Sequence, residues 1–203
     1  MSLSEQDRAR ISAAIHAGEA RTSGEIVCVL AKTSSSVSAV PVLVAAVAAL
    51  ALPWLLVAVT ALPVTRILSL QVALFLGLTL LLCLPRVRTA LMPRRLRRAA
   101  AHRAALEQFT QRGVSRTRDR TGILIFVSLA ERYARIVADE GIAQRVPQAQ
   151  WQGAVDALTA HMRDGRIADG FIAAIDICED VLAAHFPASG IDRDELADRV
   201  YLI

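Results

Sequence analysis

At 203 residues, the chain has room for one modest domain and one additional segment. Its apolar content of 54% and mean hydropathy of +0.43 are high. These values exclude a chain that consists only of an ordinary water-soluble domain. The net charge of +4 conceals an asymmetry. Residues 86–120 hold eleven arginines against two acids, and residues 121–203 hold seven arginines against thirteen acids.

The cysteine pattern indicates no covalent or metal framework. Cys28, Cys83 and Cys178 are odd in number and far apart, and none lies in a C-x-x-C spacing. Such a set predicts neither a disulfide scaffold nor a zinc motif. We therefore expect three small, buried side chains in a reducing compartment.

The first predicted elements are a helix over residues 4–18 and a strand over residues 25–31. Ser4, with Asp7 three residues later, is a variant of the capping box that begins many helices. The strand sequence EIVCVLA is apolar, β-branched and short, which is typical of a buried strand. A serine-rich linker over residues 32–38 follows the strand.

The next stretch is long and apolar enough to cross a lipid bilayer twice. Residues 33–65 carry no charge, and after Arg66 the next nineteen residues carry none either. Because a helix needs about 20 apolar residues to cross the bilayer core, we predict transmembrane helices over residues 40–62 and 67–84. Residues 63–66 form the predicted turn. The alternative is a pair of core helices in a soluble protein, but the remaining chain is too small and too charged to enclose them.

The arginines predict the topology of this hairpin. Six of them crowd the exit of the second predicted span, whereas the turn holds only Arg66. The positive-inside rule places the basic flank in the cytoplasm. Two spans return the chain to its starting side, so we predict a two-pass inner-membrane protein with both termini cytoplasmic. The six residues are Arg86, Arg88, Arg94, Arg95, Arg97 and Arg98. The polar N-terminus lacks a secretory pattern, so the hairpin is expected to direct membrane targeting.

Further elements follow the hairpin. A helix is predicted over residues 93–112, and the sequence TGILIFVSL over residues 121–129 is the strongest strand signal in the chain. Residues 133–139 alternate cleanly between apolar and polar, which predicts an antiparallel strand near a sheet edge. Two helices come next. Pro147 fits the first position of one, and the other covers residues 167–186.

This order of elements predicts a small, layered α/β domain with the hairpin inserted after its first strand. The first two strands are expected to be parallel, because a helix crosses between them. Residues 1–36 supply the N-terminal helix and first strand, and residues 37–85 supply the transmembrane hairpin. Residues 86–186 supply the rest of the domain with a basic juxtamembrane helix, and residues 187–203 are a C-terminal tail.

Three stretches of sequence resemble the TPM domain. They are TSGEIVCVL at residues 22–30, TGILIFVSLAERYARIVADEGI at residues 121–142, and HMRDGRIADGFIAAID at residues 161–176. A helix that begins with a proline precedes the third stretch. The family is named for a thylakoid-lumen protein, a photosystem II repair protein and a nematode receptor-accessory protein. The chain is most similar to the bacterial members that are described only as membrane proteins.

The resemblance implies a fold and two kinds of function. The fold is a βαβ-containing sandwich with helices on both faces of the sheet, which gives a layered α/β/α domain. One plant member is an acid phosphatase, some members bind divalent cations, and others are accessory or assembly factors for membrane protein complexes. Many relatives carry a leading signal peptide and a trailing anchor, whereas this chain has a central hairpin.

Four carboxylates are candidate metal ligands: Glu25, Glu131, Asp139 and Glu140. If Glu25, at the mouth of the first strand, lies beside the exit of the second strand, the four surround a hard cation such as calcium or magnesium. In the alternative, Glu25 caps a chain end or forms an ion pair near Arg132, and the acidic turn is merely solvated. The sequence contains no motif for a nucleophile elbow, a phosphate-binding loop or a dinucleotide site.

The arginine run has three interpretations. It sets the topology, it also binds anionic lipid headgroups, or it binds nucleic acid. Nucleic acid is disfavoured because no aromatic residues interleave with the arginines. Two functions follow for the whole chain. The first is a non-catalytic accessory protein whose cytoplasmic domain binds another membrane protein. The second is a membrane-anchored, divalent-cation-binding phosphatase, which rests on family analogy.

Overall fold

A computed structural model describes residues 3–34, 39–84, 87, 93–188 and 196–203 of the chain. The chain divides into two compact units. The first combines Met1–Ser34 with Ala99–Ile203, and the second is Ser35–Arg98. The fold is mixed α/β, with one four-stranded sheet and mostly helical content.

The elements occur in nearly the predicted order, with one strand added at the C-terminus. The helices of four residues or more are α1 (Glu5–Glu19), α2 (Ala39–Val59), α3 (Val64–Cys83), α4 (Arg94–Gln111), α5 (Glu140–Ala143), α6 (Gln152–Arg163) and α7 (Ile167–His185). Two short 3-10 turns cover Val114–Arg116 and Gln148–Trp151. The strands are β1 (Glu25–Ala31), β2 (Gly122–Ser128), β3 (Tyr133–Ala138) and β4 (Val200–Leu202).

The sheet has the strand order β3-β2-β1-β4. β1 and β2 are parallel, with Glu25 opposite Gly122 and Ala31 opposite Ser128, which confirms the predicted crossover. β2 and β3 are antiparallel, and β3 is an edge strand, as the alternating pattern indicates. β4 pairs in parallel with β1, so the prediction of a plain C-terminal tail is wrong at its last residues.

Side chains from the two central strands enter two hydrophobic clusters, one on each face of the sheet. Every residue of β1 and β2 is buried, which explains why both read as continuous apolar runs. Ile26 and Cys28 belong to a cluster with side chains from α1, α6 and α7. Val27 and Phe126 belong to the other cluster, together with Ala105 from α4. Helices therefore cover both faces of the central strands.

Two local signals were expected to mark helix starts, and one of them does so. The N–H of Asp7 donates to Ser4 Oγ at 3.0 Å, and the N–H of Ser4 donates back to Asp7 Oδ2 at 3.3 Å, so the predicted capping box is present. Ser4 Oγ also donates to Asp7 Oδ2 at 2.7 Å, and this bond, followed by the bond from the Ser4 N–H, lowers the pKa of the Asp7 carboxyl. Pro147 does not take the first position of a helix, since it precedes a 3-10 turn and α6 begins only at Gln152.

The second unit contains two apolar helices that pack against each other. Pro63 precedes α3, and residues 64–66 join that helix, so the turn lies a few residues earlier than predicted. The buried positions include Ala45 and Ala49, which lie one helical turn apart. Small residues at this spacing allow two helices to approach closely.

Most of this hairpin is not buried. Both Pro41–Val59 and Val64–Cys83 are long and apolar enough to cross a membrane, and only 11% and 6% of these spans are buried. The interior helices of a soluble protein would be largely enclosed. Large apolar side chains such as Leu43, Leu50 and Trp54 are instead exposed. Within the described part of the chain, the pair is therefore not enclosed in the way that core helices are.

Candidate functional site

The predicted carboxylates lie at opposite ends of the sheet. Glu25 begins β1, whereas Glu131 follows β2. Because β1 and β2 are parallel, the entrance of one strand lies beside the entrance of the other. Seven residues of strand separate the two ends by about 20 Å. Arg132 lies next to Glu131, at the end of the sheet opposite Glu25. The ion pair between Glu25 and Arg132 that the alternative interpretation expects is therefore not formed.

Glu131 is buried among hydrogen-bond donors from the carboxyl ends of β1 and β2. Its Oε1 accepts from Thr33 Oγ1 at 3.1 Å, and its Oε2 accepts from the N–H of Ser34 at 3.0 Å and from Ser128 Oγ. Charge-assisted bonds of this kind are among the stronger hydrogen bonds in proteins. The carboxylate therefore joins the end of β2 to the segment that follows β1.

Asp139 and Glu140 lie at the other end of the sheet, where β3 ends. Asp139 is buried, and Oδ1 accepts from the N–H of Glu140 at 2.7 Å to cap α5. Arg120 forms ion pairs with Asp139 at 3.2 Å and with Glu140 at 3.4 Å. The backbone of Arg120 has φ 54°, which places it in the left-handed region. These contacts account for both carboxylates as structural groups.

Glu25 shares its end of the sheet with a carboxyl pair that sequence reasoning missed. Glu25 Oε2 accepts from the N–H of Leu196 at 3.3 Å. Glu19, at the end of α1, hydrogen-bonds with Asp198 and also feels the charge of Glu25. His16 Nδ1 lies 2.8 Å from Asp198 Oδ2. Nothing in the sequence signals this group, because Asp198 reaches it only through the pairing of β4 with β1.

Glu19 holds its proton far more tightly than a free carboxyl. Burial raises its pKa to about 9, and the hydrogen bond with Asp198 and the charge of Glu25 act in the same direction. The N–H of Ile26, which donates to Glu19 Oε1 at 2.8 Å, opposes the rise. The raised pKa favours the protonated form of Glu19 at neutral pH.

The structure does not gather the four predicted ligands into one site. Glu131 is separated from the other three, and two intervening strand spacings place Asp139 about 10 Å from Glu25. In the part of the chain that the structure describes, no group of three His, Cys, Asp or Glu side chains is arranged to hold a metal ion. The calcium or magnesium site remains a prediction of the sequence, and its four ligands do not converge.

The predicted basic residues begin α4. Arg94, Arg95 and Arg98 are exposed, whereas Arg97 is partly buried. Arg86 and Arg88 lie outside the described residues. The first turn of α4 holds no acidic side chain. Positive charge is unfavourable at the positive end of a helix dipole, so these arginines do not serve the stability of α4.

Two of the three cysteines are as predicted. Cys28 and Cys178 are buried in the same core cluster, and burial raises the pKa of both thiols. Cys83, at the end of α3, is exposed, which corrects the expectation that all three are enclosed. The exposure follows from its place in the sparsely buried hairpin.

Comparisons with known proteins support the family resemblance. Residues 89–181 match a family model described as the TPM domain. The structure is similar to the NMR structure of BA42 protein from the psychrophilic bacteria Bizionia argentinensis, with a TM-score of 0.64 and 19% sequence identity. The similarity covers 100% of this chain and 97% of that one. A search of curated proteins found no match. The match over residues 89–181 confirms the resemblance to the TPM domain that the sequence motifs indicate.

Proposed function

We propose that this chain is an integral inner-membrane protein that uses its TPM domain to bind another membrane protein. The hairpin of α2 and α3 crosses the bilayer twice, and both chain termini lie in the cytoplasm. The domain acts as an accessory or assembly module and performs no catalysis of its own. The observation that carries this proposal is the pair of long, apolar, unburied helices within the chain of a folded α/β domain.

The dimensions of the two helices support membrane insertion. α2 has 21 residues and α3 has 20, which corresponds to about 30 Å at 1.5 Å per residue. That length matches the hydrocarbon core of a typical bilayer. Exposing the apolar side chains of both helices to water would cost a large amount of free energy. A lipid environment removes that cost.

The charge distribution supports the cytoplasmic placement. Arg66 is the only charged residue between Lys32 and Arg86, and it lies near the turn. The opposite flank carries the six arginines that begin at Arg86, and the positive-inside rule places that flank in the cytoplasm. The same arginines bind anionic headgroups at this surface, each contributing about 1 kcal/mol.

The buried carboxylates support a binding role over a catalytic one. Glu131 is held by donors from Thr33, Ser34 and Ser128, and Asp139 is paired with Arg120. Carboxylates in these surroundings tie chain segments together. None of these contacts positions a nucleophile or a general base beside an open cavity, which catalysis of phosphate hydrolysis requires.

Purification of the tagged full-length protein from membranes in a mild detergent tests the partner. We expect a second membrane protein in near-stoichiometric amount, which is lost when a harsh detergent replaces the mild one. Light scattering after size exclusion gives the mass of the complex. A chain that elutes alone from both mild detergent and lipid nanodiscs contradicts the accessory role, although it leaves the membrane topology untouched.

A further inference from the structure

The face of the sheet beneath α4 holds two basic side chains with unused hydrogen-bonding atoms. Arg135 lies on β3 opposite Phe126, a member of the cluster on this face. Tyr133, two residues earlier on β3, packs against the same cluster. α4 adds Ala104 and Ala105 to this cluster. His102 precedes these two alanines by less than one helical turn.

We propose that Arg135 and His102 form a binding site for a phosphate group between β3 and α4. This site goes beyond the proposed accessory function, and it does not depend on the identity of any protein partner. It uses none of the four carboxylates that the sequence suggested as metal ligands.

The unused atoms are the first observation. Arg135 Nε and His102 Nδ1 are both buried, and neither has a hydrogen-bond partner within the described residues. A guanidinium stays protonated at any physiological pH, so Arg135 Nε always carries a hydrogen to donate. Leaving such a donor buried and unmatched costs free energy. A ligand that accepts hydrogen bonds removes that cost.

The local charge is the second, independent observation. Burial lowers the pKa of the His102 imidazole, and the positive charge of the nearby Arg135 guanidinium lowers it further. Ion pairs among the described residues include those of Arg8, Arg10, Arg21, Arg120 and Arg166, together with His16. No described carboxylate pairs with Arg135. The site therefore carries positive charge that an anion would neutralise.

Phosphate is the anion that this pair of donors suits best. A phosphate group presents several acceptor oxygens at once, and a planar guanidinium recognises it with directional hydrogen bonds. A neutral imidazole supplies a second donor to another oxygen of the same group. Arg135 pairs with Phe126 in the half of β2 nearer its carboxyl end. The carboxyl ends of parallel strands are where open α/β sheets commonly bind ligands.

Two sources can supply the phosphate. One is the headgroup of an anionic phospholipid, since the chain leaves β1 at this end of the sheet and enters α2 eight residues later. The other is a free phosphomonoester in the cytoplasm. Both present the same chemistry to Arg135 and His102, and an experiment with two probes distinguishes them.

The test uses the full-length protein in detergent and in nanodiscs. Glycerol phosphate is titrated in detergent, and nanodiscs with or without phosphatidic acid provide the lipid probe. We expect the midpoint of thermal unfolding to rise with at least one probe. We also expect Arg135→Gln and His102→Gln each to weaken the response by tenfold or more. Arg103→Gln, at an exposed position of the same helix, should weaken it by less than threefold.

Two further variants guard against trivial explanations. Arg135→Lys keeps the charge but loses the Nε–H, so it should recover only part of the affinity if directional bonds matter. In phosphate-free buffer, Arg135→Gln should unfold at or above the wild-type midpoint, because it removes an unmatched buried donor. A response to glycerol phosphate identifies a soluble ligand, and a response to phosphatidic acid alone identifies a lipid. No response to either probe, or equal losses in Arg103→Gln and Arg135→Gln, overturns the site.

Discussion

Leu50→Arg is expected to make the free energy of inserting the hairpin into the membrane less favourable by about 3–4 kcal/mol. Leu50 lies near the middle of α2, and 64% of its surface is exposed. An arginine at the centre of a transmembrane helix costs about 2.5–3.5 kcal/mol, and the lost leucine adds about 0.5 kcal/mol. The measurement is the fraction of protein that resists carbonate extraction from membranes, together with the yield of membrane-embedded protein.

If the hairpin lies in water instead, Leu50→Arg is expected to be harmless or beneficial. An exposed leucine replaced by arginine would then improve solubility and leave the free energy of unfolding nearly unchanged. Leu106→Arg is the matched control, since Leu106 is an exposed leucine on α4. It should leave extraction unchanged. A soluble, stable Leu50→Arg protein would show that α2 does not reside in a bilayer.

The second large effect concerns Glu19 and the dependence of stability on pH. The pKa of Glu19 is about 9 in the folded protein and near 4.5 in an unfolded chain. Unfolding between these two values releases one proton, so the free energy of unfolding falls as pH rises across this window. For one proton the slope is at most about 1.4 kcal/mol per pH unit. Below pH 4.5 and above pH 9 this group contributes no slope.

Glu19→Gln should remove that slope. The amide oxygen still accepts from the N–H of Ile26, and the amide nitrogen can donate to Asp198 as the protonated carboxyl does. The variant should therefore gain stability relative to wild type as pH rises from 5 to 9. Urea unfolding in detergent, followed by the fluorescence of Trp151 in a Trp54→Phe background, measures it. Trp151 is buried in the core of the first unit.

Glu140→Gln is the control for this series, because Glu140 is an exposed carboxylate. It should follow the wild-type slope. If wild type and Glu19→Gln lose stability in parallel between pH 5 and pH 9, then Glu19 is ionised in the folded protein. The arrangement of Asp198 beside it would then have to differ.

Most of the fold was accessible from periodicity and length. The continuous apolar runs of β1 and β2 and the alternation in β3 predict buried central strands beside an edge strand, and the sheet has that order. The intervening helix predicts the parallel pairing. β4 escaped because its three residues carry too little pattern to distinguish a strand from a tail. These three residues form a strand only because they pair with the free edge of β1.

The candidate site was less accessible, and one error was avoidable. Grouping Glu25 with Glu131 requires the entrance of β1 to lie beside the exit of β2. The parallel pairing predicted from the same sequence places those points at opposite ends of the sheet. By contrast, no local pattern brings His102 to Arg135 or Glu19 to Asp198. Each pair forms only when distant segments pack, through α4 on the sheet and through β4 on β1.

Cysteine accessibility tests the membrane topology most directly. In a Cys83→Ser background the remaining Cys28 and Cys178 are buried, so a single added cysteine reports its own location. Ala61→Cys marks the turn between α2 and α3, and Gln111→Cys marks the exposed end of α4. In bacterial spheroplasts, an impermeant maleimide should label Ala61→Cys directly and Gln111→Cys only after the membrane is permeabilised. Labelling of both positions without permeabilisation, or of neither, would contradict a hairpin that crosses the bilayer beneath a cytoplasmic domain.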